Sequence, residues 1–461
     1  PFMCARYASA IVKGIQGNDV SAKDKVVAGL CHFPGQSEPV SGLERGAMDI
    51  SERTLREVFL PPWEAGIKES GALGVMATYP TIDGIPAHNS KDILTGLLRE
   101  ELNFKGVVLS EGHGVNTLVY TGMAETIKEA AAMTANAGVD LSIFFNQGYF
   151  NEMIENVNEG KVAMETIDRS VRRILKLKFE LGLFDNTIVD VDKAVEISHS
   201  EEHQSLALKA AHEGIVLLKN EDNLLPLSKN INSIAVIGPN ADHEKNQLGD
   251  YTSYTVLQPI TTVLDGIKNK VGDNTKVNYV QGCNVIGNEL DEIDKAVKAA
   301  EESDVAVIVL GENDWQTEDK KGTSGEAYDV ATLELTGLQK ELVQKVHATG
   351  TPTVVILING RALAINWVDE NVPAIVEAWN PGEKGGEAVA NILFGDVNPS
   401  GKLPVTFPIN LSDHASTQNF PQDGEQQTIL GLINNMMLGN KKARPEGEKI
   451  KNKDYTYYEE G

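Results

Sequence analysis

Gly106-Val107-Val108-Leu109-Ser110-Glu111 is an apolar, β-branched run that stops abruptly in a hydroxyl and a carboxylate. The run has the character of a strand. The loop behind it, Gly112-His113-Gly114, is too flexible to continue either a strand or a helix. In a parallel α/β protein, catalytic side chains stand at the C-terminal ends of strands, so Glu111 is placed like an active-site group. Judged on the local sequence alone, the position also suits a solvated acid with no role.

On either side of this run, helical and strand patterns alternate through residues 1–185. The spacing predicts a helix over 2–16 closed by Gly17, then a strand at about 26–33. A helix at about 51–70, with Ser51 as N-cap, leads to a strand at 73–79; a helix at 90–102 feeds the strand at 106–110. A helix at 123–137 feeds a strand at 138–144, and 145–185 reads as mostly helical. Such alternation means a parallel sheet. Only four strands are visible, whereas a (β/α)8 barrel needs eight.

Residues 186–200 read as an acidic linker with little periodicity. A second α/β block is expected over 201–411, with strands near 233–237, 275–280, 304–310, 353–358 and 373–378. Their continuous β-branched runs suit a mostly parallel sheet buried on both faces. Residues 412–461 are polar and rich in Asn, Gln, Lys and Gly.

The 461 residues allow two or three domains. With 66 acidic against 41 basic residues the net charge is −25, a surface that repels phosphate backbones and anionic lipid. Neither a nucleic-acid nor a membrane partner is expected, and no apolar run approaches ~20 residues. Cys4, Cys31 and Cys283 lack metal-ligand spacing, so no metal is expected. Gly238-Pro239-Asn240 lacks G-x-G-x-x-G and no P-loop occurs, so no nucleotide cofactor is expected either. Because the chain opens at Pro1, the compartment stays open.

A series of longer motifs runs through the chain: Val27–Gly35, Gly74–Tyr79, Asn103–Glu111, Ala137–Leu141, Ser170–Asp185, Ile215–Leu227 and Gly395–Pro408. In this order they closely resemble glycoside hydrolase family 3, the β-glucosidase type with two catalytic domains. The resemblance implies an α/β chain: the C-terminal half of a (β/α)8 barrel over 1–185, then an α/β sandwich over 201–411. It also implies that 412–461 leads toward a fibronectin-like domain, and that the strand at 26–33 is an edge. An upstream segment would cover that edge, or a second copy in a homodimer. The activity implied is that of a retaining exo-β-glycosidase, foremost a β-glucosidase acting on oligosaccharides or glucosides without a cofactor.

Retention needs two carboxyl groups about 5–5.5 Å apart. The family carries an Asp nucleophile where this chain has Glu111, one methylene longer. Thr323-Ser-Gly-Glu326-Ala-Tyr-Asp329 resembles the family's acid/base loop, which assigns Glu326 as acid/base. Cys31 and His32 occupy the family's Lys-His position, where both side chains bind sugar hydroxyls; a thiol is only a weak donor, and packing is its ordinary role. Tyr79 and Trp315 are further candidate sugar contacts. Arg172 and Arg173 read as salt-bridging surface. Two alternatives remain. A β-N-acetylhexosaminidase of the same family would carry a His in the loop Gln36–Gly42, which has none. A non-catalytic carbohydrate-binding fragment would explain Glu111, Cys31 and the four-stranded half-barrel.

Overall fold

The computed structural model describes residues 1–36, 38–40, 46–143, 148–185, 187–252, 259–313, 322–325, 330 and 332–409. The chain forms two compact units that divide between Asp190 and Val191. The first has the strand–helix succession of the C-terminal half of a (β/α)8 barrel, and the second is an α/β sandwich.

Strands β1 (Gly29–Phe33), β2 (Gly74–Ala77), β5 (Val107–Ser110) and β6 (Leu141–Ser142) form a parallel four-stranded sheet in that order; a two-residue hairpin, β3 (Thr81–Ile82) and β4 (Ile85–Pro86), follows β2. Each strand is shorter than its sequence pattern suggests. Residues 26–28 are drawn to the preceding helix, Phe2–Gln16: Val26 N donates to Ile15 O at 3.3 Å and Ala28 N to Gln16 Oε1 at 3.1 Å. At β6, Gly138 N and Val139 N both donate to Thr134 O and complete the preceding helix. The predicted strand at 138–144 therefore begins only at Leu141.

Helical residues 52–69 mix α turns with wider turns, as at Leu60 N to Leu55 O. Pro61 and Pro62 lack the N–H groups that an uninterrupted α-helix needs. The helix Asp92–Glu101 consists of such wide turns throughout and is amphipathic, burying Ile93, Leu94, Leu97 and Leu98. They join Phe33, Val75, Val108 and Phe104 in the core of the sheet's helical side.

A charged cluster braces this sheet from within. The Asp140 side chain is 0% exposed. Its Oδ2 accepts from Arg99 Nη2 at 2.7 Å and Val108 N at 2.9 Å, its Oδ1 from Ser170 Oγ at 3.1 Å and Arg173 Nη1 at 2.8 Å. Arg173 is thus an internal brace, in contrast to the surface role its sequence suggests; Arg172 beside it is exposed. Burial pushes the Arg99 guanidinium down to about 10 although Asp140 opposes the shift.

The second unit contains β7 (Val216–Asn220), β8 (Ser233–Ile237), β9 (Lys276–Val280), β10 (Val305–Gly311), β11 (Thr353–Ile358) and β12 (Ala374–Glu377). Their order is β7-β12-β11-β10-β8-β9, all parallel except β7. Residues of β10 alternate between two cores, Val305, Val307 and Val309 in one, Ala306, Ile308 and Leu310 in the other. That period of two is what a sheet covered on both faces requires. The expected linker also needs correction, because Val191–Ile197 is a helix within it. Asp192 in its first turn and the Lys193–Glu196 pair at 3.1 Å favour it.

Asp140→Ala leaves two guanidinium groups facing each other inside the first unit, and should cost about 3–5 kcal/mol of stability. A denaturant midpoint that barely moves contradicts this. The Glu377 carboxyl is fully buried and pushed up to about 8, mainly by desolvation. Folded protein then holds a proton that unfolded chain has lost, so its stabilising effect is full below the ordinary glutamate range and fades as pH rises through about 8. Thermal scans of Glu377→Gln should show a flatter pH dependence over that window; an unchanged slope contradicts it.

Candidate active site

β5 delivers Glu111 to the C-terminal end of the barrel-type sheet. Its backbone is fixed by pairing with β2 and β6, and by Val108 N on Asp140. Two strands away, β1 delivers Cys31 and His32 through a cis peptide. His32 Nε2 lies 3.0 Å from Glu111 Oε1, with the two side chains 32% and 15% exposed. With the proton on Nε2, the imidazole donates to that oxygen. The second oxygen, Oε2, is buried and has no hydrogen-bond partner among the described residues. One carboxylate oxygen is therefore oriented by His32, and the other has no partner among the described residues.

The turn beyond Glu111 is tightly held. Gly114 N donates to Glu111 O at 2.9 Å, and Thr117 Oγ1 to Gly114 O at 2.6 Å. Tyr79, after β2, is 5% exposed and donates its hydroxyl to Gly112 O. It braces the Glu111 loop from the neighbouring strand. Beneath the same loop lies His88, fully buried, whose imidazole is pushed down to about 4 by burial against the opposing effect of the Thr78 backbone. A Cβ at position 114 would stand 2.3 Å from His88 Nε2, so glycine there is a steric necessity.

Three sequence candidates, Glu111, His32 and Tyr79, thus meet around one strand end. Cys31 differs from the expected packing role: it is exposed, with Sγ 3.8 Å from Gly29 O. Partial desolvation, and then the Glu111 carboxylate, raise its thiol above the ordinary range. Cys31 directly precedes His32 in β1. Glu326 and Trp315 lie outside the described residues. His88 has no sequence signal of its own, since Ala87-His88-Asn89 carries neither periodicity nor a motif. Among the described residues no group of three or more His, Cys, Asp or Glu could hold a metal ion. No helix there is long and apolar enough to cross a membrane.

The model of the glycosyl hydrolase family 3 N terminal domain matches residues 1–177, and that of the family's C-terminal domain matches 215–461. A β-xylosidase of Formosa agariphila is 40% identical over 422 residues, covering 88% of this chain and 57% of that protein. A periplasmic β-glucosidase of Salmonella typhimurium is 32% identical over 433 residues, covering 88% and 55%. Among solved structures, a β-glucosidase from Listeria innocua in complex with glucose superposes with a TM-score of 0.80 at 30% identity, covering 97% of this chain and 60% of that one. The chain spans about half the length of the curated relatives it matches. Both family models, in order and over most of the sequence, place this chain in glycosyl hydrolase family 3.

Proposed function

We propose that this chain carries the catalytic groups of a retaining exo-β-glycosidase that removes terminal β-D-glucosyl residues from oligosaccharides or glucosides. The observation that carries the reading is the Glu111–His32 contact at the end of β5, with one carboxylate oxygen held and the other unpartnered. Glu111 attacks the anomeric carbon and forms a glycosyl ester as the aglycone oxygen leaves with a proton from Glu326. Water then attacks the same anomeric carbon and displaces Glu111 as the carboxylate, while Glu326 takes the water's proton. His32 and Cys31 line the sugar side of the carboxylate, and Tyr79 fixes the loop behind it.

The family's nucleophile is an aspartate. A glutamate reaches roughly 1 Å further, and an unaccommodated displacement of that size can cost about a hundredfold. The hydrogen bond from His32 supports a pocket adapted to the longer side chain. A second reading, release of terminal xylosyl residues, is favoured by the 40% identity to a protein named β-xylosidase. Relatives named β-glucosidases, among them one solved with glucose, favour the first.

Release of 4-nitrophenol from aryl β-glucosides and β-xylosides tests both readings side by side. Faster turnover of the glucoside is expected; faster turnover of the xyloside supports the second. Glu111→Gln should abolish turnover of either sugar, because an amide cannot form the glycosyl ester. Glu326→Ala should lose about 10²–10⁴-fold on leaving groups that need a proton, and azide, which attacks the glycosyl ester without base assistance, should partly restore turnover of substrates with good leaving groups. Full activity in the Glu111→Gln variant overturns the nucleophile assignment. A chain silent toward every aryl glycoside points instead to a carbohydrate-binding role.

A further inference from the structure

Gly112-His113-Gly114, the turn behind Glu111, holds a backbone conformation that an ordinary side chain resists. His113 has φ +59°, in the left-handed region where L-residues are strained. Such a conformation persists only where the surroundings impose it, and it clusters at functional sites. Three hydrogen bonds help to impose it here: Gly114 N to Glu111 O at 2.9 Å, Thr117 Oγ1 to Gly114 O at 2.6 Å, and the Tyr79 hydroxyl to Gly112 O. A further contact is of another kind. It is the ring of His88.

His88 arrives there by a short path from the neighbouring strand. Beyond Tyr79 the chain makes the hairpin of β3 and β4 and returns through one tight helical turn, Ala87–Asn89. Ala87 N donates to Pro80 O at 3.4 Å and Ser90 N to Ala87 O at 3.1 Å, while Ser90 Oγ accepts from Ile93 N at 3.2 Å in the helix that follows. The ring is thus carried on backbone tied down at both ends. It is 0% exposed, and neither of its nitrogens has a hydrogen-bond partner among the described residues. The Thr78 backbone stands near enough to oppose the effect of burial without meeting hydrogen-bond geometry. Pushed down to about 4, the imidazole is uncharged at neutral pH.

A buried polar ring without partners costs free energy that an apolar side chain in the same space would not. Stability therefore gives no reason for an imidazole here, but its position does. Nε2 and Cε1 lie so close to Gly114 that a Cβ there would stand 2.3 and 2.7 Å from them. The ring edge abuts the backbone of the turn directly. Its other neighbour, Thr78, donates from its backbone N to Phe33 O at 2.9 Å, and Phe33 directly follows His32. His88 accordingly stands against both the turn that follows Glu111 and the strand end bonded next to His32. We propose that His88 is a positioning residue for the nucleophile: its ring is the backstop that sets the Glu111–Gly114 turn, and with it the reach of the Glu111 carboxylate. The inference rests on Glu111 as the nucleophile, as proposed above, and adds the residue against which its backbone is set.

The test is a double-mutant cycle on the full chain with 2,4-dinitrophenyl β-glycosides. Their leaving group departs without a proton, so the rate reports the nucleophile and not the acid. Gly114→Ala drives a methyl group into the ring and should lower kcat/KM roughly a hundredfold. His88→Ala removes the backstop and should lower it about tenfold, and His88→Gln, which keeps a polar group of similar reach, should lose less. In the double variant the methyl group takes space the ring has left, so it should be at least about tenfold faster than Gly114→Ala alone. The losses should fall on kcat, while competitive inhibition by the free sugar changes by less than about threefold. A double variant no faster than Gly114→Ala, unchanged rates in both His88 variants, or losses confined to KM and sugar inhibition overturn the proposal. Hydrogen exchange supplies a readout independent of turnover. The Gly114 amide should exchange at least about tenfold faster in His88→Ala, while Val108 N, held by Asp140, stays protected; unchanged exchange also overturns it. If the unaltered chain hydrolyses neither glucoside nor xyloside, the function proposed above fails, and exchange at Gly114 alone decides whether His88 sets the turn.

Discussion

The strand that carries Glu111 is braced by one fully buried carboxylate, Asp140. Four donors from three segments converge on it: the helix Asp92–Glu101 through Arg99, β5 through Val108 N, and the helix Met164–Glu180 through Ser170 and Arg173. A carboxylate so enclosed is tolerable only because every lone pair is used and two guanidinium groups offset its charge. Val108 is three residues before Glu111, so the cluster sets where β5 ends and where its terminal carboxylate points. The candidate site at the C-terminal end of β5 therefore stands on a strand held by a charged cluster.

This dependence explains what could be read from the sequence and what could not. Periodicity located every strand of the four-stranded sheet to within a few residues, because short apolar runs signal strands locally, but the two-residue strands β3 and β4 gave no such signal. The limits of those strands were not legible. They are set by side chains from elsewhere, such as Gln16 accepting from Ala28 N and Leu73 N. Asp140 sat in a quoted motif, but its partners lie 30 to 41 residues away in the chain, beyond any local pattern. β7 escaped for a different reason. It is an antiparallel edge strand, only half buried over most of its length, and it follows a helix with no turn between them.

The candidate site shows the same division. Glu111 and Tyr79 were legible as strand-end residues and His32 through the family resemblance, and the fold brings the three together. The exposure of Cys31 was not legible, because packing is the ordinary role of a cysteine in an apolar strand. His88 was invisible to pattern reading; it matters only because Gly114 lies against it. In the second unit, Glu312 is an unremarkable acid in sequence. Its pairing with Arg361 becomes visible only when β10 and β11 are set side by side.

The central claim is that Glu111 is the residue that bonds to the sugar. A fluorinated glycoside with a good leaving group slows hydrolysis of the glycosyl ester and traps it, and mass spectrometry of the digested protein then locates the adduct. A single added glycosyl mass on the peptide containing Ser110 and Glu111 is the expected result. Its absence from the same chain bearing Glu111→Gln completes it. An adduct on any other carboxylate, with Glu111 unmodified, contradicts the claim.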